Sequence, residues 1–226
     1  MPYDPDATIT ISALDNAPLL AHGLVRDLRV RWALEEIGRP YRTQLLDAMV
    51  PKPDLYREWQ PFNQVPAFDD GTVRLFESGA ILLHIGEQDE RLLPREPQAR
   101  ADTIAWLIAA LNSVEPMLMQ LIWLDFFEAG KPWTIEARPS AVGFVTMRLD
   151  PLENVLTGKE WLAGAFSIAD IMMVTVLREL NHTDILNKYP EISAYKMRGE
   201  AREPFQQALA DQLADLGEPA PLGEPG

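Results

Sequence analysis

Cysteine is absent from this sequence of 226 residues. The absence excludes disulfides, thiolate metal sites, CxxC redox centres and a cysteine nucleophile, so any thiol chemistry has to come from a ligand. Basic residues are also few, since 20 Lys and Arg stand against 34 Asp and Glu, for a formal net charge of -14. Because affinity for phosphate backbones comes from clustered Lys and Arg, we expect no nucleic-acid partner.

Long hydrophobic runs are lacking as well. No stretch approaches the roughly 18 consecutive apolar residues that a membrane-spanning helix needs. The first six residues carry neither the basic segment nor the apolar run of a signal peptide. We therefore expect no membrane association and a cytoplasmic location. With 47% hydrophobic and 24% charged residues, the composition is that of a globular protein with its own core.

The first ninety residues alternate between strand and helix patterns. Residues 8–14 and 41–45 show the period of a strand, and the apolar residues of 24–37 follow the spacing of a helix. Two short strands in residues 65–76 flank an Asp-Gly turn, which is typical of a hairpin. Ser78 can cap the helix that follows. This order, βαβ and then ββα, predicts a four-stranded mixed sheet with helices packed against it.

Beyond Leu93 the strand pattern ends and helical periodicity takes over. A long helix is predicted at 98–128, kinked or split at Pro116. The other predicted helices cover residues 135–156, 167–181, 190–199 and 202–215. The predicted organisation is an α/β domain at 8–90, a linker at 91–97, an all-helical domain at 98–215 and a disordered tail at 216–226.

Two short motifs stand out against this background. The segment Gln64-Val65-Pro66-Ala67-Phe68 is followed, eight residues after Phe68, by Phe76-Glu77-Ser78-Gly79-Ala80-Ile81. With the α/β half and the helical half around them, they give a chain that over residues 9–215 resembles the cytosolic glutathione transferase family. The resemblance implies a thioredoxin-like N-terminal domain and an all-helical C-terminal domain.

The resemblance also implies a glutathione site built on Gln64, Val65, Pro66, Glu77 and Ser78. In the family, the proline at the position of Pro66 is cis, and the residue before it pairs its backbone with the cysteinyl part of glutathione. The carboxylate of Glu77 would pair with the ligand's ammonium group, while Ser78 and the helix start would hold its carboxylate. Taken singly, Ser78 is as well explained as an N-cap and Val-Pro as a chance dipeptide, but their combination favours binding.

The charge balance of residues 20–57 is compatible with an anionic ligand. Seven basic and five acidic side chains lie in this segment, so it is locally positive in a chain of net charge -14. Lys52 stands where the family often places a residue near the glycyl carboxylate of glutathione. The alternative is a solvated loop lysine.

The residue that activates the thiol is not evident. The family uses a Tyr, Ser or Cys near the start of the first helix, but positions 24–27 hold Leu, Val, Arg and Asp. Arg26 is the first candidate, because a guanidinium near the helix N-terminus would favour the thiolate. Weaker candidates are Ser12, Asn16 and His22. Each candidate also has a structural interpretation. Arg26 is then a surface arginine or part of a salt bridge, and Ser12 an ordinary strand residue. Asn16 is then a turn residue, and His22 a histidine without a catalytic role.

The helical half offers two further features. Its first long helix is rich in aromatic residues and Met, and the second substrate is expected there, between the domains, with Trp106 and Trp123 as pocket candidates. Aromatic residues and Met at helical spacing are more often core residues. The segment from Phe166 to Ile171 resembles a capping box in which Ser167 caps a helix and Asp170 reaches back to it, a structural role.

The sequence therefore predicts a homodimeric, metal-free enzyme that binds glutathione and turns its thiolate on an apolar electrophile or a peroxide. Without cysteine, the branches of the family that use a protein thiol are excluded. Two alternatives remain. One is a non-catalytic module for ligand or protein binding, and the other is a glutathione-dependent isomerase or dehalogenase.

Overall fold

The computed structural model describes residues 2–217, so the predicted tail lies outside the described residues from position 218 onward. The strands in this range are β1 (Ile9–Asp15), β2 (Tyr41–Asp47), β3 (Ala67–Asp69) and β4 (Arg74–Phe76). The α-helices in this range are α1 (Asp27–Ile37), α2 (Ser78–Gly86), α3 (Pro97–Ala109), α4 (Glu115–Ile122), α5 (Pro132–Leu156), α6 (Ile168–Leu177), α7 (Pro190–Glu200) and α8 (Glu203–Leu216).

The four strands form one mixed sheet in the order β2-β1-β3-β4. The β1 and β2 strands are parallel, as a strand–helix–strand crossover requires, and the other two pairs are antiparallel. The side chains of Ile11 and Phe68, which are partners in the register of β1 and β3, are completely buried. The predicted order of elements and the mixed sheet are confirmed.

Helix α2 begins differently from the prediction. Its N-cap is Glu77, at a positive φ of 69°, and Ser78 is already the first helical residue. The prediction that Ser78 caps the helix is therefore wrong. Because Ser78 points into the protein and is only 4% exposed, its hydroxyl oxygen accepts a hydrogen bond from Arg29 instead.

The described residues divide into two compact units, and the division differs from the predicted domain bounds. The first unit contains the chain up to Asp89 and again from Ala201, while the second runs from Glu90 to Glu200. Helix α8 thus belongs with the α/β unit, where Phe205 packs edge-on against Trp32 of α1 at 4.9 Å between ring centres. Helical periodicity shows that α8 has an apolar face but does not show what that face meets.

The second unit is helical. Its segment 97–127 is interrupted by two π-helical turns, at Ala110–Val114 and Trp123–Phe127. Pro116 has no N–H to continue the ladder, and the Glu115 N–H bonds to the carbonyl of Ala110. The predicted split near Pro116 is confirmed.

The helical segment Pro97–Phe127 is also the one described segment that is long and apolar enough to cross a membrane, with a mean hydropathy of 1.4. The expectation concerned about 18 consecutive apolar residues, and this segment does not contradict it, because polar residues such as Asn112 and Glu115 interrupt its apolar runs. Of its apolar window, 44% is buried inside the protein, and a core helix of a soluble protein passes the same test.

Helix α6 forms the centre of the second unit, and every one of its residues is buried. The capping box predicted at its start is confirmed. Ser167 accepts a hydrogen bond from the N–H of Ala169, and Asp170 accepts from the N–H of Ser167 at 2.9 Å. This pair fixes the point at which the buried helix begins.

Candidate glutathione site

A buried arginine meets the N-terminus of α2. The guanidinium of Arg29, in the first turn of α1, donates a hydrogen bond from Nη1 to Oγ of Ser78 at 3.1 Å. The two residues are 2% and 4% exposed. The first N–H groups of a helix have no partner within it and carry a partial positive charge. Cation, hydroxyl and N–H groups therefore meet at one helix end, a combination that suits a carboxylate.

Sequence reasoning did not select Arg29 as a site residue. Arginine is mostly exposed in proteins, so its appearance in an amphipathic helix first suggests the solvent face. One signal was available: Arg29 stands four residues before Ala33, which places both on the apolar stripe of α1. An arginine on a buried stripe is a candidate for binding an anion or an acidic partner.

Glu77 lies at the same helix end as Ser78 and differs from it in exposure. Its side chain is exposed, and its backbone has the positive φ of 69° that is uncommon for a residue other than glycine. The carboxylate of Glu77 is thus accessible to a ligand bound at the start of α2. The structure places the two predicted residues side by side, one buried and one open to solvent.

The segment that precedes β3 supplies the second part of the site. The Val65–Pro66 peptide bond is cis, Val65 is half-buried and Gln64 is exposed. Because β3 runs antiparallel to β1, this segment lies toward the carboxyl end of β1, from which the chain leads into α1. In α/β sheets, ligands bind beyond the carboxyl ends of the strands and near helix N-termini.

A chain of three hydrogen bonds holds both ends of this segment. The Ala67 N–H donates to Oγ of Ser12 at 2.7 Å, and the Tyr56 hydroxyl donates to the carbonyl of Gln64 at 2.6 Å. Oγ of Ser12 lies 2.7 Å from the Tyr56 hydroxyl. Since Tyr56 has a single hydroxyl proton, Ser12 is the donor in that third bond. Burial raises the pKa of Tyr56, which keeps that proton in place.

This arrangement contradicts the catalytic role considered for Ser12. The side chain is completely buried within the sheet, and its oxygen already accepts one hydrogen bond and donates another. A ligand sulfur has no access to it. Ser12 and Tyr56 are therefore supporting residues of the segment 64–67.

The other candidates near α1 occupy different positions. Arg26 is the N-cap residue of α1 and is half-buried. Asn16 has a positive φ of 48° and directs its amide toward the carboxylate of Asp47 at 3.4 Å. Nε2 of His22 lies 3.2 Å from the carbonyl oxygen of Ala17. Lys52 is half-buried in the connection after β2. Arg26 is thus the candidate placed where the dipole of α1 begins.

The two tryptophans proposed for the second substrate lie on one helical segment of the second unit but far apart. At roughly 1.5 Å per residue, Trp106 and Trp123 are separated by about 25 Å along the segment. Trp106 borders a cleft of about 570 Å³ with Asp102 and the loop 158–164. Trp123 is 52% exposed and stacks on Phe127 at 5.2 Å. One small-molecule pocket cannot include both, so at most one of the two candidates lines the second-substrate pocket.

Metal chemistry has no ligand set among the described residues. Within 2–217, no group of three or more His, Asp or Glu side chains is arranged so that it could hold a metal ion. The groups that the described part of the site brings together are a guanidinium, a hydroxyl, a carboxylate and backbone N–H groups, which bind charged ligands through hydrogen bonds.

Comparison with known proteins agrees with this geometry. Residues 19–87 match the family model of the glutathione S-transferase N-terminal domain, and residues 136–212 match that of the glutathione S-transferase C-terminal domain. The chain is 33% identical over 166 residues to the disulfide-bond oxidoreductase YfcG of Escherichia coli, a match covering 69% of this chain and 76% of that protein.

Two further similarities extend over more of the chain. The glutathione S-transferase-like protein OpS6 of Beauveria bassiana is 27% identical over 202 residues, which cover 82% of this chain and 90% of that protein. A glutathione transferase structure from Burkholderia graminis, with two glutathione molecules bound per subunit, is 26% identical with a TM-score of 0.77 and covers 89% of this chain and 87% of that one. The chain belongs to the glutathione S-transferase family.

Proposed function

We propose that the protein is a glutathione-dependent enzyme that binds the tripeptide in its first unit and uses the glutathione thiolate as a nucleophile. The observation that carries the proposal is the buried contact between Arg29 and Ser78 at the N-terminus of α2. Membership of the glutathione S-transferase family supports it. So does the glutathione bound in the related structure from Burkholderia graminis.

The γ-glutamyl end of glutathione would bind at the start of α2. Its carboxylate accepts hydrogen bonds from Ser78 and from the first N–H groups of the helix, and the charge of Arg29 stabilises it. Its ammonium group pairs with the exposed carboxylate of Glu77. A ligand of both charges thereby matches a site of both charges, which distinguishes an amino acid headgroup from a simple anion.

The rest of the tripeptide would extend along the segment before β3. The backbone of Val65 pairs with the cysteinyl residue, while Gln64 and Pro66 shape the same surface. Lys52, in the connection after β2, would approach the glycyl carboxylate. Ser12 accepts a hydrogen bond from Ala67 and Tyr56 donates one to Gln64, so a bound ligand meets backbone groups that are already fixed.

Activation of the thiol would come from the start of α1. A free thiol with a pKa near 8.5 is only a few per cent ionised at neutral pH, so the enzyme has to stabilise the thiolate. The partial positive charge of the helix N-terminus and the full charge of Arg26 at its N-cap both do so. Asn16 and His22 are the alternative donors in the loop before α1.

The thiolate then attacks an electrophilic carbon of an apolar substrate. A C–S bond forms, and either a leaving group departs with its electron pair or a proton adds to the resulting carbanion. With an organic hydroperoxide, the thiolate attacks the terminal oxygen, the O–O bond breaks, and the alkoxide leaves and takes up a proton to become the alcohol. The resulting glutathione sulfenic acid condenses with a second glutathione to give glutathione disulfide and water. Since this chain has no cysteine, every reacting sulfur belongs to a ligand.

A second candidate function follows from the 33% identical relative, which is a disulfide-bond oxidoreductase. Two glutathione molecules would reduce a disulfide substrate to two thiols and leave as glutathione disulfide. The two functions separate in a direct assay. Turnover of an electrophile such as 1-chloro-2,4-dinitrobenzene supports transfer, whereas release of thiol from a model disulfide without electrophile turnover supports reduction.

The second substrate and the oligomeric state belong to the same proposal. Trp123, exposed and stacked on Phe127, offers an apolar contact for an electrophile in the second unit. The family resemblance supports a homodimer, which sedimentation at micromolar concentration tests directly. A monomeric mass at all concentrations would contradict it.

Calorimetric titration with glutathione tests the binding site. Glu77→Ala and Ser78→Ala should each weaken binding by about tenfold or more, because each removes a partner of a charged group. The matched controls are Glu58→Ala, at an exposed position of the same unit, and Ser193→Ala in the second unit. No binding by the unmodified protein would contradict the proposal, and binding without turnover of either substrate class would favour a non-catalytic module.

A further inference from the structure

One side chain of the last helix holds the first turn of α1. The amide Nε2 of Gln212 donates to the carbonyl oxygen of Val25 at 3.0 Å and to Oδ1 of Asp27 at 2.8 Å. Gln212 is 1% exposed and Asp27 is 1% exposed. These two partners flank Arg26, the N-cap residue of α1. A residue almost 190 positions away in the sequence therefore bonds to the backbone just before Arg26 and to the side chain just after it.

The charges around this contact anchor it further. Arg31 pairs with Asp27 at 2.7 Å within α1 and with Asp215 of α8 at 2.6 Å. The last turn of α8 is thus bound to the first turn of α1 by an amide and an ion pair together. Charge-assisted hydrogen bonds between buried groups have narrow geometry. The orientation of residues 25–27 consequently depends on the spatial position of the C-terminal part of α8.

A separate contact holds the other end of α1. Arg202, just before α8, forms two hydrogen bonds with Glu36 at 2.6 and 2.8 Å. Along the helix, Glu36 lies about 14 Å from Asp27. The two ends of α1 are therefore bound to the segment of α8 by different side chains. A substitution at one contact removes no hydrogen bond of the other.

Gln212 is not the choice that packing alone would favour. Its Oε1 is buried and has no hydrogen-bond partner among the described residues. An unpaired buried polar oxygen costs free energy of folding. What the amide provides is a pair of N–H donors aimed at the two neighbours of Arg26, so the contribution of Gln212 is to hold the start of α1 in place.

We propose that Gln212 is a positioning residue for thiol activation, which acts by fixing the start of α1 and the direction of Arg26. The inference rests on the proposed function, since it concerns the group that stabilises the glutathione thiolate. Loosening residues 25–27 should raise the pKa of the bound thiol. It should leave the binding groups at Ser78 and Glu77, which belong to α2, in place.

The test compares Gln212→Met with Arg202→Met. Both variants remove a polar contact between α8 and α1 and replace it with the same apolar side chain, one at each end of α1. Ultraviolet absorbance of the thiolate of bound glutathione, titrated against pH, reports the thiol pKa directly. We expect Gln212→Met to raise it by about half a unit or more with glutathione affinity within about twofold, and Arg202→Met to leave it unchanged.

The outcomes separate this inference from the proposed function. If the unmodified protein binds no glutathione by calorimetry, the proposed function fails. If it binds glutathione and both variants show the unaltered thiol pKa, the positioning role is overturned while the proposed function stands. Equal shifts in the two variants would also overturn it, because they would indicate general loosening of α8.

A second variant tests the same role if Gln212→Met does not fold. Gln212→Asn keeps the amide but shortens the side chain by one methylene, so its donors cannot reach both Val25 and Asp27. A smaller rise of the thiol pKa is expected. Hydrogen exchange provides the accompanying structural readout, since the amides of the first turn of α1 should exchange faster in the Gln212 variants than in Arg202→Met.

Discussion

The hydroxyl oxygens of Ser12 and Tyr56 lie 2.7 Å apart in the interior of the first unit, although 44 residues separate them in the sequence. Ser12 belongs to β1, and Tyr56 to the short 3-10 turn Asp54–Glu58 after β2. Their contact ties together the two backbone groups at either end of the segment 64–67. The surface on which we place the cysteinyl part of glutathione is thereby connected to the centre of the sheet.

Ser12→Ala should lower stability and weaken glutathione binding without abolishing turnover. The substitution leaves the N–H of Ala67 buried without an acceptor, at a cost of about 1–3 kcal/mol. Tyr56→Phe should behave similarly, because it frees the carbonyl of Gln64. Thermal unfolding and calorimetric titration measure the two effects. Complete loss of turnover at unchanged stability would instead restore Ser12 as a catalytic residue.

Arg29→Gln should weaken glutathione binding by about tenfold to a hundredfold, because a charge-assisted contact at the carboxylate is lost. Arg74→Gln is the matched control, since Arg74 is exposed, pairs with Asp69 and belongs to the same unit. Calorimetric titration at fixed ionic strength compares the two. Equal affinities in both variants would show that the charge of Arg29 does not reach the ligand.

The elements of the first unit were predictable because their signals are local. Alternation in residues 8–14, the helical spacing of 24–37 and the Asp-Gly turn of the hairpin each depend on a few neighbouring residues. Gly38, directly after that helical segment, has the left-handed φ of 66° that ends α1. The capping box of Ser167 and Asp170 was predictable for the same reason.

The support of the site was not predictable, because it depends on contacts between residues distant in sequence. The donors of Gln212 meet Val25 and Asp27 only after α8 has packed against α1. The hydroxyl of Ser12 is equally compatible with a solvent-facing or a buried position until the sheet register is known. Residue type and spacing identified the groups that we propose for glutathione binding, but not the residues that hold those groups in position.

Glu35 should make stability depend on pH near neutrality. Burial, and then the neighbouring carboxylate of Asp211, raise the pKa of Glu35 to about 7. The Tyr41 hydroxyl lies 3.5 Å from Glu35 and 3.4 Å from Asp211. A pKa raised above its unfolded value near 4.5 favours the protonated folded state, so this contribution is complete below about pH 4.5 and is lost as the pH rises through 7.

Glu35→Gln removes this dependence. The variant should match the unmodified protein at pH 5 and exceed it at pH 8 by about 1 kcal/mol, a value reduced for the screening that a half-exposed group experiences. Thermal unfolding at the two pH values gives the comparison, and Glu58→Gln is the control at an exposed position. A larger gain at pH 5 than at pH 8 would reverse the sign and contradict the argument.

Trp123→Ala should raise KM for an apolar electrophile while leaving KM for glutathione unchanged. The indole is half-exposed and stacked on Phe127, so its loss removes contact area rather than core packing. Steady-state kinetics with each substrate varied in turn separate the two constants. If Trp106→Ala raises KM for the electrophile and Trp123→Ala does not, the contact lies at the cleft beside Trp106.

Asp170→Asn should destabilise the second unit more than Ser167→Ala, the variant that removes the N-cap side chain of α6. The carboxylate accepts four hydrogen bonds: the Leu162 N–H and the Tyr195 hydroxyl donate to Oδ1, and the N–H and hydroxyl of Ser167 donate to Oδ2. Burial raises the pKa of Asp170 to about 6, so at pH 7.5 it is ionised and all four acceptor positions are available.

An asparagine at this position replaces one acceptor oxygen by an NH₂ group that faces one backbone N–H and one hydroxyl. The hydroxyl can turn and accept instead, but the backbone N–H is left buried without an acceptor and the remaining bonds lose the carboxylate charge, which should cost about 3 kcal/mol. Ser167→Ala removes the cap and the hydroxyl bond to Asp170 but keeps the carboxylate and its other three bonds, so it should cost about 1–2 kcal/mol. Urea unfolding followed by the fluorescence of Trp161, which packs edge-on against Tyr195 in this unit, compares the two. Equal losses of unfolding free energy in both variants would show that Asp170 contributes no more than the cap itself. Glutathione affinity should stay unchanged in each variant, because every group that we assign to glutathione binding belongs to the first unit.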